Sequence, residues 1–393
     1  MLKISNKLRY AFIALAVAGM SSCSDDDDVT PPVVVPPVVE TPLRTKIEYA
    51  TLTPTTSYAT FFVDKSNKST VDLSNGNNRY KMFQALNVNI SSAISGNKTV
   101  DAAVLKNMFG NTGNAFADST KLNTSGVQLR NVVASSWPTA DAEAVRVRFE
   151  ALFTEVAEVS KSVTETGELG KAGKVGTYLV NKQGIEPIQI IQKSLIGALQ
   201  YDYIANVLLT KGLDADNKTV VTGKTYTQLE QNWDEAYGLL TLSPIYLAGS
   251  TDDKRGTTEF ALGSYVWEYN KGAYAKIYPA FLKGRAAIAN NDKTELKAQA
   301  DFIKAEFEKA IAAAAVGYLG KYNTATTDAA RVHAMGEGLG FIYSLRFATV
   351  NGGTAKFSDD ILTALVGSTN GVWDLTPAKI AAASDAIKAK FKL

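Results

Sequence analysis

The sequence predicts an all-α helical bundle for residues 44 to 393. Apolar residues recur at three- and four-residue spacing in segment after segment. Strand-like alternation is nearly absent after residue 70. Several segments open on Thr or Pro, which suit a helix start. Hydrophobic types fill 46% of 393 positions, enough for one large core or two smaller ones.

The body opens with "KIEYATLTPTTSYATFFVD", rich in β-branched and aromatic residues and suited to a short strand or a strap across the bundle. In "NRYKMFQALNVNISSAIS", Tyr80, Phe83, Leu86, Val88 and Ile90 lie near helical spacing. "TADAEAVRVRFEALFTEVAEVSKSV" places Val145, Phe149, Leu152, Val156 and Val159 on one face, with Thr139 as expected N-cap. "ETGELGKAGKVGTYLVNKQG" reads as a mobile loop or a small hairpin. "EPIQIIQKSLIGALQYDYIANVLLT" begins with Pro187 near a helix N-terminus and is apolar around most of its circumference, which predicts a central helix. "KGLDADNKTVVTGKT" is a long connection, so a sub-boundary between two bundle halves falls near residues 210 to 225, if there is one. Further helices follow, the strongest being "KTELKAQADFIKAEFEKAIAAAAVGYLGKY". The last opens with Thr376 as N-cap and Pro377 at its first position.

The first 43 residues read differently. Lys3, Lys7 and Arg9 form a basic start, and "YAFIALAVAGM" is an apolar stretch too short to span a bilayer. "MSSC" then ends in Cys23, the chain's only cysteine, so no intramolecular disulfide is available. This order resembles a lipobox, with Met20 where Leu is preferred and Ser22 where Gly or Ala is usual. It implies a signal peptide over residues 1–22 and lipid on Cys23. "SDDDD" resembles the export signal of outer-membrane lipoproteins in Bacteroidetes-type bacteria, often displayed at the cell surface. With "VTPPVVVPPVVETP", a semi-stiff spacer of about 40 Å at ~3.1 Å per residue, it makes residues 23–43 an acidic, proline-rich disordered tether.

Net charge is +2, with acidic and basic residues nearly balanced, and no basic stripe or zinc knuckle suggests nucleic acid. A single histidine excludes the two-histidine zincin motif and the paired Glu-x-x-His di-iron site. There is no Gly-x-Ser-x-Gly elbow and no P-loop.

The one histidine stands in "ARVHAMGEGLGFIYSLRF". On a helix, His333, Gly336, Glu337, Gly340 and Ser344 share one face. An interior glycine costs about 0.5–1 kcal/mol relative to alanine, so this stripe of small residues needs a cause. Either another helix crosses closely there, or a ligand sits against the glycines between His333 and Glu337. A second cluster, "EQNWDEAYGLL", puts Glu230, Trp233, Asp234 and Tyr237 on one face; buried, it needs His333 or an arginine as partner. A third places Glu268 among Tyr265, Trp267, Tyr269, Tyr274 and Tyr278.

"NWDEAYG" and "ARVHAMGEGLGFIYSLRF", with the lipoprotein start and helical body, resemble a lipoprotein family of Bacteroidetes-type bacteria catalogued as domain of unknown function 4856. The family in turn resembles imelysins, helical envelope proteins linked to iron uptake and once classed as peptidases. Their Gly-x-His-x-x-Glu signature aligns on His333, but Arg331 stands for the Gly, and the glutamate comes one residue later, as Glu337.

The resemblance implies a non-enzymatic envelope binding protein associated with iron or haem acquisition. His333 and Glu337 are its candidate metal ligands, and Asp234, Glu235 and Glu268 are further candidate ligands. Rival readings are an envelope hydrolase using His333, with residues 165 to 185 as a lid, and an accessory lipoprotein docked on an outer-membrane transporter. Oligomeric state stays open.

Overall fold

Amphipathic spacing and well-formed caps produce the expected helices. A computed structural model of the chain describes residues 42–246, 251, 253–255 and 259–393. The leader, Cys23 and the tether up to residue 41 lie outside the described residues.

The structure is an all-α bundle: α1 (Ser74–Ser95), α2 (Ala102–Gly110), α3 (Thr139–Ser160), α4 (Pro187–Leu195), α5 (Gln228–Leu240), α6 (Leu262–Tyr269), α7 (Lys271–Asn290), α8 (Lys293–Thr324), α9 (Asp328–Ser344), α10 (Ala355–Val366) and α11 (Pro377–Phe391). Helix α8 is the hub, packed against α6, α7, α9 and α11, while α9 also lies along α4 and α5 along α1. Pro42–Leu393 forms one compact unit that includes the long 210–225 connection, where a 3-10 turn covers Lys211–Asp214.

Caps fix most helix starts. Thr227 and Glu230 close a capping box on α5, and the Thr327 and Thr376 hydroxyls accept the backbone N–H of Ala330 and Lys379. Thr139 is not the α3 cap: extended Pro138 holds that position, and Thr139 begins the first turn. The expected apolar face of α3 is buried at Val145, Phe149, Leu152, Val156 and Val159.

Helix α4 continues into a π-helical run, Ile196–Leu208, buried on nearly all sides as its composition requires. The glycine-rich excursion before it is a hairpin, β1 (Gly173–Val175) against β2 (Tyr178–Val180), antiparallel with Val175 opposite Tyr178.

The opening segment is a strap rather than a sheet strand. It makes two single turns, Tyr49–Thr51 and Tyr58–Phe61. Asn290 bonds both backbone groups of Ile47 at 2.8 Å, and the Tyr58 N–H donates to the Tyr278 hydroxyl at 2.9 Å. Its Ile47, Tyr58 and Phe62 pack on the core, most of its threonines stay exposed, and Val63 makes only an isolated antiparallel bridge to Ser69. Among the described residues, no helix is long and apolar enough to cross a membrane.

Candidate functional site

The small-residue stripe of α9 is a helix crossing. A methyl group on Gly340 would stand 2.5 Å from Lys193 Cβ, and one on Gly336 would stand 3.0 Å from Glu186 Cβ. At the far end, a methyl on Gly197 would lie 2.4 Å from Ser344 Cβ. The Ser344 hydroxyl donates to the Lys193 carbonyl at 2.7 Å and accepts the Gly197 N–H at 3.1 Å. Glycine lets the two backbones approach this closely, which accounts for its cost in helix propensity.

That approach gathers the polar side chains at the crossing. His333 Nδ1 is 2.7 Å from Glu186 Oε2, and Nε2 is 3.7 Å from Glu337 Oε2. Lys193 Nζ lies 2.9 Å from Glu337 Oε1, and the Tyr265 hydroxyl donates to the same oxygen at 3.3 Å. The Tyr178 ring from the hairpin stacks on the imidazole. Glu186, Lys193 and Glu337 are buried; His333 keeps 28% of its side chain exposed.

The charges balance within the cluster. Burial pushes the Glu186 carboxyl above its usual value, against the hydrogen bond with His333. Burial alone would lower His333, but the hydrogen bond and charge of Glu186, with the charge of Glu337, outweigh it and favour the imidazolium. Burial likewise opposes the Lys193 ammonium, and Tyr265 and Glu337 overcome it. Two carboxyl groups therefore face an imidazole and an ammonium.

This donor set does not fit the expected metal centre at His333 and Glu337. One imidazole nitrogen is engaged by Glu186, and the Lys193 ammonium already sits on Glu337, where it would repel a cation. Among the described residues, no group of three or more His, Cys, Asp or Glu side chains is placed to hold a metal ion.

The other candidate ligands make ion pairs of their own. Asp234 is fully buried, 2.9 Å from Arg285 Nε, and accepts the Tyr58 hydroxyl at 2.7 Å. Arg285 also pairs with Glu230 at 2.9 Å, and Glu230 with Arg44. Glu235 pairs with Arg79 on α1. Glu268 pairs with Lys321 at 2.9 Å on the more exposed side of α6. The acidic-aromatic face of α5 therefore found arginines, not His333. With Trp233 seated against Gly284 and donating to the Phe281 carbonyl at 2.9 Å, it locks α5 to α7 and the strap.

Glu186, Lys193, Tyr265 and Tyr178 complete the cluster, and none stands out by motif. Lys193 did carry a signal: a lysine within a helix apolar on nearly all sides must be paired when buried. Glu186 lies 147 residues from His333 in sequence, and spacing gives no hint of that contact.

The family model described as Domain of unknown function (DUF4856) matches residues 58–393, and the chain belongs to that family. No curated protein and no solved structure gives a significant match.

Proposed function

We propose that the chain is a lipid-anchored, non-enzymatic binding protein of the outer membrane in Bacteroidetes-type bacteria. The lipobox-like order ending in Cys23, followed by four aspartates and a proline-rich stretch, supports the anchoring.

The observation that carries the non-enzymatic reading is the mutual pairing at His333. A general base needs a free nitrogen facing its substrate. Here Glu186 on Nδ1 and Glu337, 3.7 Å from Nε2, both favour the protonated imidazolium, which has no lone pair to act as a base, and Tyr178 stacks on one face of the ring. Grooves of ligand size open elsewhere, one of 430 Å³ between α3, α4, α9 and α10. The association with iron or haem, and docking on an outer-membrane transporter, rest on the imelysin-like resemblance. A binding site for either would lie away from His333.

Acyl labelling and membrane fractionation of the wild type and Cys23→Ala test the anchoring. The wild type takes up label and stays with the outer membrane, whereas the variant is unlabelled and released or unprocessed. Equal labelling and retention of the two overturns it. Iron and haem titration of wild type and His333→Gln tests the site: equal behaviour agrees with the reading, and selective loss in the variant returns the site to His333. Hydrolase activity that disappears in His333→Gln overturns the non-enzymatic reading.

A further inference from the structure

The 430 Å³ groove adjoins a second one of 560 Å³, and Arg148 and Tyr343 border both. The first has a mixed lining: Leu152, Ile190 and Leu339 on its inner side and Leu362 and Val366 at its edge, with polar Glu155, Asn181, Gln183 and Thr363 beside them. Its size falls in the range of small-molecule sites, roughly 300–1,000 Å³.

The charges at the junction are uneven. Two guanidinium groups lie over the Tyr343 ring, Arg346 at 3.6 Å and Arg148 at 4.5 Å from its centroid. Arg346 is engaged: it pairs with Asp359 at 2.6 Å and donates to the Tyr343 carbonyl at 3.0 Å. The exposed Arg148 has no carboxylate partner among the described residues. The neighbouring acids are committed elsewhere, Asp359 to Arg346 and Glu155 as acceptor of the Asn181 amide at 2.8 Å. The Tyr343 hydroxyl is buried without a well-formed hydrogen bond among the described residues, and the Arg148 guanidinium lies close to it.

We propose that this groove binds an amphipathic monocarboxylate, its carboxylate on the Arg148 fork and its aliphatic chain along Leu152, Ile190 and Leu339. A guanidinium matches a carboxylate through two parallel hydrogen bonds. Leu152, Ile190, Leu339, Leu362 and Val366 offer a continuous apolar track beside the donors Asn181, Gln183 and Thr363, and the part of the ligand that follows this track is hydrocarbon. Asp359, Glu155 and, in the second groove, Asp141 border the site, and their charge opposes any anion, a dianionic phosphate more strongly than a monocarboxylate. The site is separate from the His333 cluster and does not depend on lipid at Cys23.

Residues 42–393, a compact unit with its own core, are titrated calorimetrically with decanoate, decan-1-ol, decylammonium and decyl phosphate. Decanoate binds, and the alcohol, the amine and the phosphate bind at least about tenfold more weakly, as expected for one charge-assisted pair. Arg148→Gln weakens decanoate about tenfold or more without changing the weak binding of the alcohol. Leu362→Trp, which narrows the groove at its edge, weakens both. Among the described residues Arg148 holds no ion pair, and Leu362 is half-buried, so both variants retain the wild-type circular dichroism spectrum. No decanoate binding up to millimolar concentration overturns the proposal. So does decanoate binding that is unchanged in Arg148→Gln, or phosphate binding tighter than carboxylate.

Discussion

Tyr178 lies flat on the His333 imidazole, with ring centroids 4.0 Å apart and planes 12° from parallel. The contact joins hairpin to helix across 155 residues of sequence, and it places a titrating ring between a tyrosine and two carboxylates.

That ring makes stability depend on pH. Glu186 and Glu337 raise His333 above its ordinary value, although burial opposes them. A histidine raised in the folded state contributes stability that is fully present below its unfolded pKa of about 6.5, and that is lost as pH rises through the folded value. Glu186 is also raised, and its contribution falls with rising pH for the same reason. Thermal unfolding from pH 5 to 9 therefore shows the wild type losing ground to His333→Gln as pH rises. A constant difference across that range contradicts the assignment.

The i, i+4 pair of His333 and Glu337 is visible in the sequence, as is the helix that carries it. So are the apolar face of α3, the Pro187 start of α4 and the Thr376 cap of α11. These are local features, set by periodicity and by side chains a few residues from the groups they satisfy. The partners Glu186 and Tyr265 are not visible, because a helix crossing brings them in and spacing along the chain does not encode it. The glycines announce a close approach without saying to what. The ligand roles expected for Asp234 and Glu235 have the same limit, since Arg285 and Arg79 reach them only through the packing of α7 and α1.

Lys193 is a buried cation whose removal leaves Glu337 with only the Tyr265 hydroxyl and the His333 ring at 3.7 Å. Lys193→Met is expected to destabilise the fold by about 3–5 kcal/mol, because the carboxylate keeps its desolvation cost and loses its ammonium. The double variant Lys193→Met, Glu337→Leu recovers most of that loss, since neither charge is then left alone. Chemical denaturation of both single variants and the double variant reads the coupling. Additive losses would mean that the pair is not coupled.

Glycines of α8 and α9 separate close packing from propensity. Gly320 has open space around its missing side chain, so Gly320→Ala should stabilise α8 by roughly 0.5–1 kcal/mol. Gly340→Ala meets Lys193 Cβ and the Gln189 carbonyl, and it should destabilise by about 1–3 kcal/mol through overpacking. Equilibrium unfolding of the two variants is expected to show opposite signs, and a stabilised Gly340→Ala would show that α4 and α9 separate at no cost.

Glu259 gives a second pH signature, away from His333. Its carboxyl lies near Thr241 and Tyr274, accepting their hydroxyls at 3.2 and 3.4 Å, with its Oε2 buried and without a hydrogen bond among the described residues and the Arg255 charge nearby. Burial raises its pKa to about 8, so it is largely protonated in the fold at neutral pH. The sign follows from the raised value. Below about pH 4.5 both states hold the proton and no penalty exists. Between that point and about pH 8 the unfolded chain releases a proton that the folded chain keeps, and stability falls steadily. Glu259→Gln keeps the size and the neutral hydrogen bonding but cannot ionise. It should match the wild type near pH 5 and exceed it by pH 8.5, by a few kcal/mol at most, since each tenfold change in proton affinity is worth about 1.4 kcal/mol. Urea denaturation at the two pH values measures this, and a wild type that keeps pace with Glu259→Gln up to pH 8.5 would show a carboxylate that is charged and solvated in the native state.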